Sequence, residues 1–328
     1  MASPATMMHD SRRKAIVADI LLFSVAVFWG GNFVFIKSAV ERTSAIAGGS
    51  IVAGSMLYLL LRYVVATGIF AAAQPKSWLK ASRRDWKMGG LLGFFYLTAL
   101  ILQTIGLQRT SPGVSGFITG MSVAMVPFLY WAVARRSPGK WQIIGAIVAT
   151  VGLGALSLQG DFSIRWGDAL TLLATLFYAL HIMATGFFAP KVHPSTLAVT
   201  QMFVSTAALL VLTPFFVHIT LDLPWQVWAA VVWTAVSGTI YAFFIQSWAQ
   251  RYTTSTHAAI LLSFEAVFAA LAGIAFGMDS VTWRLLVGGS LMLSGVFIVE
   301  LLPTSKGVVA EIEAEEGPSG AAGPSGAP

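Results

Sequence analysis

Long apolar runs dominate the pattern of this chain, and charged residues cluster between them rather than alternating along helix or strand faces. A helix needs roughly 20 apolar residues to cross the hydrocarbon core of a bilayer. By that measure the runs predict ten spans, at about 15–37, 46–73, 88–107, 110–134, 138–158, 166–188, 194–217, 225–249, 253–276 and 282–302. Several connections are very short, so neighbouring spans are expected to be antiparallel. Arg12, Arg13 and Lys14 precede the first span like a secretory n-region. Its apolar stretch is too long for a signal, however, and Lys37, Glu41 and Arg42 intervene before the faintly cleavable SAIA at 44–47.

The second half echoes the first. QRTSPGVSGFITG from Gln108 reappears as QRYTTSTHAAILL from Gln250, an offset of 142 that also carries Trp141 onto Trp283. Upstream, Asp19 and Trp29 match Asp168 and Tyr178 at an offset of 149. Five spans in each half is an odd number, so the second copy inserts upside down relative to the first, the plan of many secondary transporters. The expected fold is an all-α integral membrane protein of ten transmembrane helices in two inverted five-helix repeats. Residues 15–158 and 166–302 form the halves, joined by 159–165. A polar N-terminal arm (1–14) precedes them, and an acidic, then Gly/Pro/Ser/Ala-rich tail (303–328), read as disordered, comes after. In the 142 register Glu265 falls opposite Val123, and Ala269 opposite Pro127.

Composition sharpens the class. With 56% apolar and only 10% charged residues, an ordinary soluble domain is excluded. Basic residues orient the spans. With the N-terminus inside, fourteen Lys and Arg lie on the inner side: Arg12, Arg13, Lys14, Lys76, Lys80, Arg83, Arg84, Lys87, Arg135, Arg136, Lys140, Lys191, Arg251 and Lys306. Five lie outside: Lys37, Arg42, Arg109, Arg165 and Arg284. Both termini are therefore expected in the cytoplasm. The net charge of +6 is explained by basic loops facing an anionic leaflet, without nucleic acid. There are no cysteines, hence no disulfide and no thiolate metal site. No ATP-binding loop, metal-ligand spacing or nucleophile elbow occurs, and no cofactor is implied.

Polar groups inside spans are expensive and are the default functional candidates. Asn32, the chain's only asparagine, lies mid-span after Gly30 and Gly31. Its amide both donates and accepts, which suits a zwitterion, although an interhelical hydrogen bond would serve equally. The glycine pair is a candidate hinge. His181 is its mate at offset 149 and is read either as a partner across the cavity or as a neutral core histidine. Glu265, mid-span, could hold a substrate ammonium, take up a proton, or lock helices together. His181, His257 and Glu265 are the candidates for proton coupling. Arg62 would pair with a carboxylate on another helix or bind a substrate carboxylate. Asp19 and Asp168 are read as helix-capping carboxylates. Trp29, Tyr96, Gln103, Tyr178, Tyr241 and Gln246 are candidate cavity walls, and Pro127 is a further hinge candidate.

The segments WGGNFVFIK (29–37), LRYVVA (61–66), GFITGMSVAMVPF (116–128) and SFEAVFAALAGIAF (263–276) resemble the EamA family of the drug/metabolite transporter superfamily. The chain looks most like its bacterial inner-membrane aromatic amino-acid exporters. The resemblance implies a non-enzymatic exporter of small molecules, most simply amino acids, in the bacterial inner membrane. Carriage of a nucleoside, polyamine or sugar derivative is the alternative, with a channel behind it. Many members carry Pro after the ninth-span Glu. Here Ala266 stands there, which removes the expected cause of a kink.

Overall fold

The structure is a computed structural model describing residues 4–134, 139–157 and 165–301. The tail expected at 303–328 and the linker residues 159–164 lie outside the described residues. Every apolar run described is helical. Among the described residues, seven helices are long and apolar enough to cross a membrane: Arg13–Ile46, Ile51–Ala73, Arg83–Leu107, Trp166–Lys191, Pro194–Phe215, Trp225–Ala249 and Ser255–Ala275. The remaining three runs form shorter apolar helices at Pro112–Val126, Ile143–Ala155 and Trp283–Ile298.

The elements that matter for the site are α1 (Pro4–Ile46), α2 (Ile51–Ala73), a short α3 (Pro75–Leu79) and α4 (Arg83–Leu107). They continue with α5 (Pro112–Gly120), α6 (Ser122–Ala134), α7 (Lys140–Ser157), α8 (Trp166–Phe188) and α9 (Pro194–Leu212). Next come α10 (Trp225–Ala235), a π-helical turn (Val236–Tyr241) and α11 (Ala242–Ala249). The last described elements are α12 (Ser255–Ser263), α13 (Glu265–Ala275) and α14 (Trp283–Leu301).

Two expectations change here. The first helix begins at Pro4 and runs to Ile46, so Asp19 is mid-helix and caps nothing. Its carboxylate instead meets His257 Nε2 at 3.2 Å. Asp168 does sit in the first turn of α8, where it accepts from Arg165 Nε at 2.9 Å. Gly30 and Gly31 do not interrupt α1. Gly30 is needed for contact: a methyl group there would lie 2.5 Å from the Glu265 carbonyl oxygen and 2.7 Å from the Ala269 nitrogen.

The apolar runs at Pro112–Val126 and Ser255–Ala275 are each broken once, and at matching places. Ser111 caps α5 and Thr254 caps α12, 143 residues apart, each accepting from the backbone N–H three residues on. Ten residues beyond each cap, at Met121 and Phe264, the helix turns with ψ near zero and restarts. The structural register is therefore 143, one more than the sequence echo, and it sets Ser122 rather than Val123 opposite Glu265 (Pro127 then matches Ala270). No proline is required: Met121 N–H bonds back to Ile118 and Val267 N–H to Phe264, the tightened i→i+3 pattern that ends an α-helix without stopping it. At Pro127 itself, α6 continues without a break.

Small residues bring these helices together, since lipid supplies no hydrophobic force between them. The α13 start is held between glycines: Gly30 of α1 on one side, and Gly116 of α5 against Ala269 on the other. α7 and α14 pack along their length through Gly152, which faces the Gly288 carbonyl, and Gly295, which faces that of Gly145. Outward, large apolar side chains such as Phe94, Ile147, Val151, Phe215 and Leu286 are exposed, which water would penalise and acyl chains would solvate.

Overpacking a close helix crossing costs about 1–3 kcal/mol. Gly152→Ala, whose methyl would sit 2.7 Å from Met292 and Gly288 atoms, is expected to lower the thermal midpoint in detergent. Gly68→Ala, with no atom within 4 Å, is expected to leave it unchanged or higher. Equal midpoints for the two variants would contradict this packing.

Candidate functional site

The two helix breaks border one interior cavity. α1 contributes Trp29, Asn32, Phe33 and Ile36, and α2 contributes Arg62. Tyr96, Leu100 and Gln103 come from α4, Thr119 and Ser122 from the α5–α6 break. Tyr178, His181 and Ile182 come from α8, while Leu262, Ser263 and Glu265 come from the α12–α13 break. Both halves of the chain thus supply walls, and each broken helix supplies them at its break.

Most of the polar wall is tied down. Asn32 exchanges hydrogen bonds with Ser237 Oγ at 3.2 and 3.3 Å. Trp29 Nε1 donates to the Gly238 carbonyl at 3.1 Å. Tyr178 Oη donates to Gln103 Oε1 at 2.7 Å, and Gln103 Nε2 donates to Thr119 Oγ1 at 2.8 Å, a relay from α8 through α4 to α5. His181 Nε2 meets Gln201 Oε1 at 3.0 Å. His181 and Asn32 therefore share the cavity without pairing to each other. Around Tyr96 the rings form a cluster, edge-on to Phe243 at 4.5 Å, His181 at 5.0 Å and Tyr178 at 5.4 Å.

The two charged groups in the wall are the exceptions. Arg62 is 2% exposed; its Nε donates to Thr239 Oγ1 at 2.9 Å, and the Tyr96 hydroxyl lies within reach of the guanidinium. Nη1 has no partner among the described residues. Glu265, in the first turn of α13, is 7% exposed and has no hydrogen-bond or ion-pair partner among the described residues. The ion pairs found among those residues, Arg165–Asp168 and His257–Asp19, lie elsewhere. A buried charge without a partner is ordinarily worth several kcal/mol of destabilisation. Here a guanidinium and a carboxyl group line the same cavity, and no ion pair joins them among the described residues.

Of the residues singled out from sequence, Trp29, Asn32, Arg62, Tyr96, Gln103, Tyr178, His181 and Glu265 line the cavity. Tyr241 and Gln246 do not. Tyr241 bonds Ser24 at 2.7 Å and packs edge-on to Phe28, and Gln246 is buried in α11. His257 sits at the start of α12, on Asp19. Sequence reasoning missed Thr119, Ser122 and Ser263, whose visible signal is a small hydroxyl at a break in an apolar run. No group of three or more His, Cys, Asp or Glu among the described residues is arranged to hold a metal ion.

Comparison with known proteins decides the family. The EamA-like transporter family matches twice, over residues 16–158 and 165–301, which is nearly all of the membrane portion. The chain belongs to the EamA-like transporter family. It is 31% identical to an "Uncharacterized transporter" of Archaeoglobus fulgidus over 88% of this chain and 87% of that one. The "Uncharacterized transporter YetK" of Bacillus subtilis is 24% identical over 71% of each chain. A solved crystal structure has the same fold, with a TM-score of 0.61 at 15% identity, over 87% of this chain and 97% of that one. Two matched segments in this EamA transporter correspond to the two halves of the sequence echo.

Because the chain has no cysteine, a single introduced thiol reports access without background. Ser122→Cys and Ser263→Cys at the cavity wall are expected to react with a small water-soluble thiol reagent. Gln246→Cys, buried away from the cavity, is expected to stay unlabelled. Indistinguishable labelling of all three would contradict the cavity's position.

Proposed function

We propose that this EamA transporter is a secondary exporter of amino acids, aromatic ones included, in the bacterial inner membrane. It would work by alternating access at the central cavity, with ten spans in two inverted repeats and both termini cytoplasmic. The observation that carries the reading is the Arg62 guanidinium and the Glu265 carboxyl group in one cavity wall, neither with an ion-pair partner among the described residues. An amino-acid zwitterion supplies both missing counter-charges in one molecule, its carboxylate to the guanidinium and its ammonium to Glu265. Asn32 and Gln103 add neutral polar contacts, and the Tyr96 cluster with Trp29 offers an aromatic bed for a side chain. The basic bias of the inner loops supports the orientation.

Other small solutes fit less completely. A polyamine would use Glu265 and leave Arg62 facing a cation; an anionic sugar derivative would do the reverse. A nucleoside has no formal charge for either group. The absence of an ATP-binding loop from the sequence agrees with a carrier that uses a gradient.

Hydrogen bonds to charged groups are worth about 1.5–3 kcal/mol, or roughly 10–100-fold in affinity. In proteoliposomes preloaded with phenylalanine, the wild type is expected to take up labelled phenylalanine saturably. Glu265→Gln and Arg62→Gln, confirmed folded by monodisperse elution, are each expected to lose transport efficiency on that scale. Wild-type counterflow in both variants would remove the charges from the site, and a wild type that moves no amino acid would overturn the substrate reading.

A further inference from the structure

The π turn at Val236–Tyr241 has no counterpart signal in the hydrophobic pattern, yet it touches three separate cavity residues. An i→i+5 turn holds more residues than the 3.6 of an α-helix, so consecutive positions fan over a narrower arc. Ser237, Gly238 and Thr239 consequently all present to α1 and α2. Ser237 engages Asn32, the Gly238 carbonyl accepts from Trp29, and Thr239 accepts from Arg62 Nε. A continuous α-helix here would carry one of these three away from the group it holds. Gly238 leaves room for two side-chain ends: a methyl on it would lie 2.6 Å from Asn32 Nδ2 and 2.8 Å from Arg62 Nη2, and both would have to shift.

We infer that this π turn is a specificity-determining element, in which Thr239 and Gly238 are positioning residues that aim the Arg62 guanidinium at a substrate carboxylate. The guanidinium is a planar fork of five donors. Thr239 occupies the Nε edge, and the missing side chain of Gly238 leaves room for Nη2 beside the turn. Nη1 is buried without a partner among the described residues, and Arg62 lines the cavity. Thr239 itself is fully buried and is not part of the cavity wall, so it acts on substrate only through Arg62. The inference rests on the amino-acid reading above and adds to it the device that selects for a carboxylate.

The test compares transport of labelled phenylalanine with that of phenethylamine, which lacks the carboxylate, by wild type, Thr239→Val, Thr239→Ser and Gly238→Ala in proteoliposomes. Thr239→Val keeps the volume and removes the acceptor. It is expected to raise KM for phenylalanine about tenfold with kcat changed less than about twofold, the signature of lost binding rather than lost turnover. Its KM for phenethylamine is expected to stay put, so discrimination between the two narrows. Thr239→Ser restores the hydroxyl and is expected to return KM for phenylalanine to near the wild-type value. Gly238→Ala, whose methyl presses on both Asn32 and Arg62, is expected to raise KM for phenylalanine at least as much as Thr239→Val. Thr239→Val with wild-type KM and discrimination overturns the inference while leaving the transporter reading intact. Equal losses for both substrates, unrescued by Ser, reduce the turn to scaffolding and overturn it too. A wild type that transports neither compound overturns the amino-acid reading, and the inference falls with it.

Discussion

A charge at mid-depth in a bilayer has no bulk water to solvate it, so it must find a counter-charge, a hydrated space or a hydrogen-bond network inside the protein. That constraint organises this transporter. Arg62 and Glu265 come from different halves of the chain, and neither has an ion-pair partner among the described residues. The α13 start is pressed between Gly30 and Gly116, which puts the Glu265 carboxyl at the positive end of a short helix. The π turn holds Arg62 by one edge. The cavity is therefore polar where two charges face it, and aromatic around Tyr96.

The duplication explains the scaffold and its loss of symmetry explains the site. Caps at Ser111 and Thr254 and breaks at Met121 and Phe264 recur in register, so the chain bends at equivalent points in both halves. The residue just past the break is different in the two halves: Ser122, a small hydroxyl, in the first and Glu265 in the second. Only the second half carries an ionisable group at that point. On the periphery, α7 of the first half and α14 of the second meet through small residues, which keeps the outer helices close while the central ones diverge in chemistry.

Much of this was legible before the structure because a polar residue inside an apolar run is conspicuous. Asn32, Arg62, His181 and Glu265 stand out for that reason, and the aromatic and amide residues Trp29, Tyr96, Gln103 and Tyr178 share their wall. Helical phase and depth were not legible. Tyr241 and Gln246 sit in the right span on the wrong face, and His257 lies on the wrong turn, against a carboxylate whose helix began earlier than its charges suggested. The one-residue difference between the sequence echo and the structural register moved the mate of Glu265 from Val123 to Ser122. The breaks escaped because they arise from tightened turns at Met121 and Phe264, with no proline to announce them. The π turn escaped for a related reason: Ser-Gly-Thr in a span reads as packing until the chain is seen to wind wider there.

The central claim is that one molecule bridges Arg62 and Glu265. Calorimetric titration of the purified protein with phenylalanine, phenethylamine and 3-phenylpropionate tests it directly, since the three share a ring and differ in which charge is present. The account predicts measurable binding of phenylalanine and affinities at least about tenfold weaker for both truncated ligands, one charge-assisted contact being lost in each case. If either single-charge ligand binds as tightly as phenylalanine, the two groups do not act together on a zwitterion and the account is contradicted.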